Sequence, residues 1–197
     1  MKRLCLWVMI SILLIASTGC AKEKTNPIPS YTAYSNLNES YSLEDAKKDG
    51  CVVFEDLHLT SGEEHWLNFL AETKKGKTAT IRLAQYYTLE AQKEHVSPEL
   101  YEEIKEEYPR LFLVDLSYDG TKYTTFYVEE DTEFRREYLY LNHYTGEARK
   151  GAAYSRYDCY ILVNDKLITY EDLEKAMVSS HSDAWIDQNR IYINLIQ

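Results

Sequence analysis

Four segments of the chain place apolar residues on one helical face and begin with a capping residue. Their predicted starts are Ser42, Ser61, Ser97 and Thr169. The pattern is strongest in the second segment, where Ser61 and Glu64 have the spacing of a capping box. The stripe expected to face the core there contains Trp66, Leu67, Leu70 and Thr73. We therefore expect three or four short helices.

Apolar and polar residues alternate with a period of two between these helices, which predicts strands. The predicted strands cover residues 52–59, 78–87, 111–118, 121–128, 138–144, 157–163 and 190–196. Asp119-Gly120 suits the positive φ angles of a type I′ hairpin, so the two strands around it should be antiparallel neighbours. Strands that run together with helices interspersed early and late predict an α+β fold. We expect one domain over residues 42–197, built on a mainly antiparallel sheet of about five to seven strands.

The first residues of the chain have the three-part layout of a secretory signal peptide. Lys2 and Arg3 form a basic start, residues 4–16 form an apolar run, and small residues follow. A membrane-spanning helix needs about 20 apolar residues, and this run is shorter and lacks a basic stop. We therefore predict a signal peptide over residues 1–19.

The junction after this run resembles the bacterial lipobox, in which a small residue precedes a cysteine that carries the lipid. Thr18, Gly19 and Cys20 fit the motif, whereas Ser17 stands where Leu, Val or Ile is usual. The resemblance implies a palmitate-type diacylglyceryl anchor on Cys20 and a location on the extracytoplasmic face of a bacterial membrane. Two acyl chains suffice to hold a protein there. The Pro-containing, polar residues 20–41 are predicted to be a flexible spacer.

The formal net charge of −10 narrows the classes of partner. A chain this acidic is repelled by nucleic acid and by anionic lipid, so neither is expected to bind. An envelope protein or a glycan remains as the expected partner.

Three sequence blocks resemble a Gram-positive lipoprotein domain of unknown function. They are SYSLEDAKKDGCVVF, GKTATIRLAQYYTLE and VDLSYDGTKY, and the match covers residues 42 to about 128. The resemblance implies a fold and a location but no activity. Cys51 stands where the family tends to have Asp, and residues 91–106 look like an inserted helix that bears many glutamates.

The sequence contains no recognisable catalytic or metal motif. Cys51 and Cys159 are either a disulfide pair or two buried thiols. His58 and His65 lie close to Glu63 and Glu64, yet the spacing fits no zinc pattern, and the glutamates suit a helix start. We expect no metal and no cofactor.

Tyrosine is the most unusual feature of the composition, with 18 residues. Six of them fall in predicted strands: Tyr86, Tyr123, Tyr127, Tyr138, Tyr140 and Tyr144. They form either a binding platform on one sheet face or an ordinary covering of half-exposed faces. Arg82 lies on the opposite face of its strand from Ile81 and Leu83, as either a paired structural charge or an anion-binding group.

These observations favour a lipid-anchored extracytoplasmic binding or protein-interaction module without catalytic chemistry. The alternative is a small cell-envelope hydrolase, which requires acid and base groups such as Glu90, Asp115 and His143 to converge in one pocket. A third hypothesis is an accessory subunit, which predicts an exposed apolar patch.

Overall fold

The computed structural model describes residues 31–37, 40–93, 96–148, 150, 152, 154–179, 181 and 185–196. The predicted signal peptide and Cys20 lie outside these residues. The helices are α1 (Leu43–Lys48), α2 (Glu63–Lys74), α3 (Leu89–Gln92), α4 (Pro98–Ile104) and α5 (Tyr170–Val178), with short 3-10 turns at Tyr34–Asn36 and Lys105–Glu107. The strands are β1 (Val52–Glu55), β2 (His58–Ser61), β3 (Ala79–Tyr87), β4 (Arg110–Tyr118), β5 (Tyr123–Glu129), β6 (Thr132–Tyr138), β7 (Tyr140–Glu147), β8 (Arg156–Val163) and β9 (Gln188–Ile196).

The strands form two sheets, and the α+β class is confirmed. The larger sheet has six strands in the order β2-β1-β3-β4-β5-β6, and the smaller has the order β7-β8-β9. Only β1 and β3 pair in parallel. All other neighbours are antiparallel, including β4 and β5 around Asp119-Gly120. None of the described helices is long and apolar enough to cross a membrane.

Helix α2 joins the two sheets through its aromatic residues. Trp66 and Phe69 are 1% and 2% exposed. The Trp66 ring stacks on Tyr192 of β9 at 4.8 Å, while Phe69 lies 6.5 Å from Tyr123 of β5. Burial of such large rings contributes much of the driving force for folding, so α2 is the centre of the main core.

The outer face of each sheet has its own cover. On the larger sheet, Cys51, Val53 and Ala84 form a cluster beneath α1 and Tyr41. On the smaller sheet, Cys159 and Ile161 lie in a separate cluster with Leu173 of α5. Both cysteines are free buried thiols, and they lie in different clusters on different sheets.

Two local predictions were wrong around α2. Residues 52–59 form a hairpin rather than one strand, because Asp56 and Leu57 turn the chain with positive φ angles of 48° and 67°. Ser61 is therefore held in β2, and Gly62 is the N-cap of α2 with φ of 78°. A Cβ atom at Gly62 would lie 2.4 Å from the Cys51 carbonyl oxygen, so only glycine fits.

The buried stripe of α2 also differs from the prediction. Leu67 is 56% exposed, and Phe69 occupies the core instead. Strand β6 was not predicted, because six of its seven residues are exposed and only Tyr138 is buried. A bend at Leu139 then separates Tyr138 in β6 from Tyr140 in β7.

Candidate functional site

Arg82 is a paired structural charge at the centre of the larger sheet. Its side chain is 3% exposed, and it lies opposite Asp115 in the β3–β4 register. Nε donates to Asp115 Oδ1 at 2.6 Å and Nη2 donates to Oδ2 at 2.9 Å. This two-bond geometry fixes both side chains and is the arrangement in which an Arg–carboxylate pair is strongest.

Residues from the predicted spacer complete the surroundings of this ion pair. Arg82 Nη1 donates to the Thr32 carbonyl oxygen. The guanidinium also lies over two rings, 5.2 Å from Tyr31 and 4.5 Å from Tyr34. Residues 31–34 are thus held on the sheet by a hydrogen bond and by cation–π contacts.

A second set of polar contacts holds the same segment against α1. The hydroxyls of Thr32 and Tyr41 both donate to Asp49 Oδ2, each at 2.9 Å. Burial raises the pKa of Tyr31 to about 12, and it also raises the pKa of Tyr34. The Tyr34 hydroxyl therefore stays protonated and serves as a hydrogen-bond donor.

Tyr34 stands at the point where β4 and β5 separate. The register pairs Asp115 with Phe126 and continues only toward the hairpin at Asp119. The Tyr34 hydroxyl donates to the carbonyl oxygens of Leu113 at 3.0 Å and Phe126 at 3.4 Å, one on each strand. Its ring meets the Phe126 ring edge to face at 5.3 Å. Tyr34 thus acts as a wedge between the two strands.

The opening beyond this wedge is a cleft of about 470 Å³, which we call the β4–β5 cleft. Its lining residues are Tyr34, Leu37, Tyr41, Gln85, Leu111, Phe112, Leu113, Val114, Tyr127, Val128 and Glu129. Four consecutive residues of β4 are among them, although successive side chains of a strand point to opposite faces. The cleft therefore lies between the strands, at the edge of β4.

The walls of the cleft suit a ligand with apolar parts. Phe112 is 41% exposed and contacts the Tyr87 ring at 6.0 Å. On the opposite wall Tyr127 stacks on Phe134 at 4.9 Å. Aromatic and aliphatic walls with a few polar groups, in a volume of several hundred Å³, are typical of ligand sites.

Glu129 lies on the lining of the cleft, and further carboxylates occur in the chain segments that adjoin the same end of the sheet. Because β4 and β5 are antiparallel, the start of β4 and the end of β5 lie at the same end of the sheet. Glu102, Glu103, Glu106 and Glu107 precede β4, and Glu129, Glu130, Asp131 and Glu133 surround the β5–β6 turn. Four cations lie nearby in the sequence: Lys105 and Arg110 pair with Glu102 and Glu107, while Arg135 and Arg136 follow in β6, where the Arg135 guanidinium lies 5.4 Å from the Phe126 ring.

The six tyrosines of the predicted platform do not share one face. Tyr123 and Tyr138 are opposite each other in the β5–β6 register, and both pack on the main core. Tyr86 lies opposite Leu111, on the same side of β3 as Arg82. Tyr127 lines the β4–β5 cleft. Tyr140 and Tyr144 belong to the smaller sheet, where the Tyr144 hydroxyl donates to the Ile168 carbonyl oxygen at 2.8 Å.

The candidate acid and base groups of the hydrolase hypothesis lie apart. Asp115 is bound to Arg82, and Glu90 pairs with Lys93 on the surface. His143 belongs to the smaller sheet, where its Nε2 lies 2.7 Å from Asp158 and its ring stacks on Tyr160 at 4.1 Å.

The sequence cluster around β2 and the start of α2 forms no metal site in the structure. His58 Nδ1 lies 2.6 Å from the Leu195 carbonyl oxygen, and Glu63 and Glu64 occupy the first turn of α2. Among the described residues, no group of three or more His, Cys, Asp or Glu side chains is placed to hold a metal ion.

Exposed apolar side chains also occur before, at the end of and after α5. Leu167 and Val178 are each 86% exposed, and Trp185 is 69% exposed. A depression of about 460 Å³ beside them is lined by Leu167 and Ala176 together with Asp172 and Lys175. This depression is more open to solvent than the β4–β5 cleft.

No local sequence pattern indicated a role for Tyr31, Tyr34 or Phe112. The first two lie in a stretch without apolar periodicity, and their contacts with Arg82 and Leu113 span 48 or more residues of chain. Phe112 was assigned correctly to a strand, but only the local separation of β4 from β5 makes it part of a cleft.

No family model matches the chain, and no significant match is found among the curated proteins or the solved structures.

Proposed function

We propose that the protein is a lipid-anchored extracytoplasmic binding module that performs no chemistry, and that its ligand occupies the β4–β5 cleft. The observation that carries the proposal is the cleft itself, a preformed opening of about 470 Å³ with aromatic walls. Such openings between secondary-structure elements are the usual place for a ligand.

The geometry around the cleft supports binding rather than catalysis. The Arg82–Asp115 pair, which is the main buried charge nearby, is satisfied by its own two hydrogen bonds. Arg82 of this pair also holds Tyr34, whose hydroxyl donates to β4 where the two strands separate. A preorganised site loses less entropy when a ligand binds.

The features of the N-terminus support the anchored location. Residues 1–19 have the layout of a signal peptide, and Cys20 stands at a junction that resembles the lipobox. The three blocks that resemble the Gram-positive lipoprotein domain agree with this location.

Metabolic labelling tests the anchor. In cells fed an alkyne analogue of palmitate, we expect the wild-type protein to be labelled and to sediment with membranes. The Cys20→Ala variant should lose the label and leave the membrane fraction. A variant that kept both properties would contradict the anchoring part of the proposal.

A thermal-shift screen tests the cleft. The protein is extracted from membranes, reconstituted in lipid nanodiscs and screened against peptide pools, cell-wall fragments, glycans and acyl chains. A ligand at 100 times its Kd stabilises the folded state by about 2.7 kcal/mol, which corresponds to a rise in Tm of roughly 5–10 °C for a domain of this size.

Two matched variants place the response in the cleft. Val128→Trp fills the opening and should abolish the shift. Val178→Trp changes a side chain that is 86% exposed at the end of α5 and should leave the shift intact. A panel without any shift, or a shift unaffected by Val128→Trp, would show that the cleft is not a ligand site.

A further inference from the structure

We propose that the occupant of the β4–β5 cleft is an extended polypeptide segment that pairs with the free edge of β4 and carries Lys or Arg beside apolar residues. This inference rests on the proposed function, since it names the class of ligand that the same cleft binds. Its basis is the strand register, the distribution of side chains around the opening and the charge at its mouth.

The register leaves one edge of β4 open. All nine residues of β4, from Arg110 to Tyr118, pair with β3 on one side. On the other side β5 pairs with Asp115–Tyr118 alone, so residues 110–114 have no partner strand there among the described residues. An unpaired strand edge offers backbone donors and acceptors to another chain.

One backbone group on this edge of β4 already accepts a hydrogen bond. The Leu113 carbonyl oxygen points into the opening, where it accepts from Tyr34. Backbone groups two residues apart in a strand point the same way, so the N–H and C=O groups of Leu111 also face the opening. These groups are those that a peptide strand would bind, in the manner of β-strand addition.

Strand β4 is the better template of the two walls. It is held by β3 along its whole length. Beyond Phe126, β5 is paired with β6 alone, as one half of a two-stranded ribbon. Because an isolated hairpin is only marginally stable, the β5–β6 wall is the one that adjusts and β4 is the one that fixes the register of the peptide.

Side-chain recognition follows from the position of the cleft between the strands. An added strand would point alternate side chains to opposite faces of the sheet. On one face they would meet Leu111 and Leu113, and on the other Phe112 and Val114. Apolar residues are therefore accepted on both faces, in contrast to a groove that lies on a single face.

The negative charge at the mouth of the cleft favours peptides that carry Lys or Arg near the end that lies there. The two acidic runs, residues 102–107 and 129–133, flank the end of the cleft where β4 begins and β5 ends. These runs hold eight carboxylates against four nearby cations, Lys105, Arg110, Arg135 and Arg136, so the net charge there is negative. Complementary charge steers a basic partner toward such a mouth and disfavours acidic ones.

Selection from a displayed library of random 12-residue peptides identifies the probe. The target is the protein in lipid nanodiscs, with counter-selection against empty nanodiscs. We expect enriched peptides that combine alternating apolar residues with Lys or Arg, and fluorescence anisotropy should show that Val128→Trp weakens their binding at least tenfold. Enrichment of acidic or non-alternating peptides would overturn the inference.

N-methylation of one selected peptide tests the strand pairing. Methylation removes a backbone donor, and the lost hydrogen bond with its steric clash weakens binding by about tenfold. We expect this loss at every second residue, whose N–H groups face β4, and less than about threefold at the residues between them. Equal losses at all positions, or at none, would rule out pairing with β4.

Charge reversal tests the mouth with a matched control. Glu129→Lys lies on the lining of the cleft, whereas Glu147→Lys is an exposed change on β7 of the smaller sheet. We expect Glu129→Lys to weaken the peptide by roughly three- to tenfold at low salt, with a smaller effect at high salt, and Glu147→Lys to have little effect. Equal effects of the two changes would refute charge selection.

The outcomes separate this inference from the proposed function. If no peptide is selected but a glycan or an acyl chain gives a thermal shift that Val128→Trp abolishes, the cleft is a ligand site and the peptide inference is wrong. If neither peptides nor the panel respond, both proposals are wrong.

Discussion

Replacement of Asp115 by alanine leaves the Arg82 guanidinium inside the sheet without its carboxylate. Arg82 is 3% exposed, so water cannot take the place of the two lost hydrogen bonds on its own side. The partners that remain are the Thr32 carbonyl oxygen and the rings of Tyr31 and Tyr34, none of which carries a net charge. We therefore expect Asp115→Ala to be among the most destabilising single substitutions in the chain.

The magnitude follows from the burial of the two partners. Breaking a buried ion pair by removal of one partner costs about 3–5 kcal/mol, because an uncompensated charge remains. The Asp115 side chain is 23% exposed, so some water reaches the site from that side. We therefore expect the low end of the range, about 3 kcal/mol, out of a total stability of roughly 5–15 kcal/mol.

Urea unfolding followed by tryptophan fluorescence measures this loss, since Trp66 is 1% exposed in the folded core. The matched control is Glu137→Ala, which breaks the surface pair with Lys122 and should cost less than about 1 kcal/mol. The double variant Arg82→Met/Asp115→Leu removes both charges and should be more stable than Asp115→Ala alone. If Asp115→Ala costs no more than Glu137→Ala, or if the double variant is the least stable of the three, Arg82 does not depend on Asp115 for charge compensation.

Three further predictions concern other parts of the structure. Tyr34→Phe removes the hydroxyl that bridges the strands at Leu113 and should cost about 1 kcal/mol in urea unfolding; an unchanged midpoint would contradict the wedge. Hydrogen bonds from the Thr121 hydroxyl and from backbone N–H groups lower the pKa of Asp119 to about 2. The ionised Asp119 carboxylate therefore stabilises the folded state at pH values above its unfolded pKa of about 4, and this stabilisation is lost as the pH falls toward 2. Asp119→Ala should therefore weaken the acid dependence of the urea midpoint between about pH 4 and pH 2, and an unaltered dependence would argue against the assignment. Burial raises the pKa of Cys51 to about 12 and that of Cys159 to about 11. Iodoacetamide at pH 8 should therefore label both thiols only after unfolding, and labelling of the folded protein would contradict their burial.

Local signals in the sequence predicted local structure well. Ser42 and Thr169 form the capping boxes with Asp45 and Asp172, and all the atoms involved lie within three residues of chain. The same motif at Ser61 gave a wrong helix start, because pairing of Ser61 with Val53 holds it in a strand. Tertiary pairing outweighed the capping preference there.

The candidate site depended on contacts that no local pattern encodes. Arg82 and Asp115 are 33 residues apart, and the sequence showed only that Arg82 lay opposite the aliphatic face of its strand. Which carboxylate paired with it was decided by the β3–β4 register. The prediction that six tyrosines share one sheet face was wrong for the same reason. The strands divide between two sheets, so tyrosines with the same alternating sequence pattern lie on different surfaces.

The connection between the cleft and the proposed anchor restricts where a partner can be. Tyr34, Leu37 and Tyr41 line the cleft, so the segment that forms its wall is continuous with the chain that leads to Cys20. Ten residues lie between Cys20 and Tyr31, and the 11 Cα–Cα steps can span at most about 40 Å when fully extended. With Cys20 in the membrane, a peptide in the cleft therefore lies close to the membrane surface, within reach of segments that emerge from it.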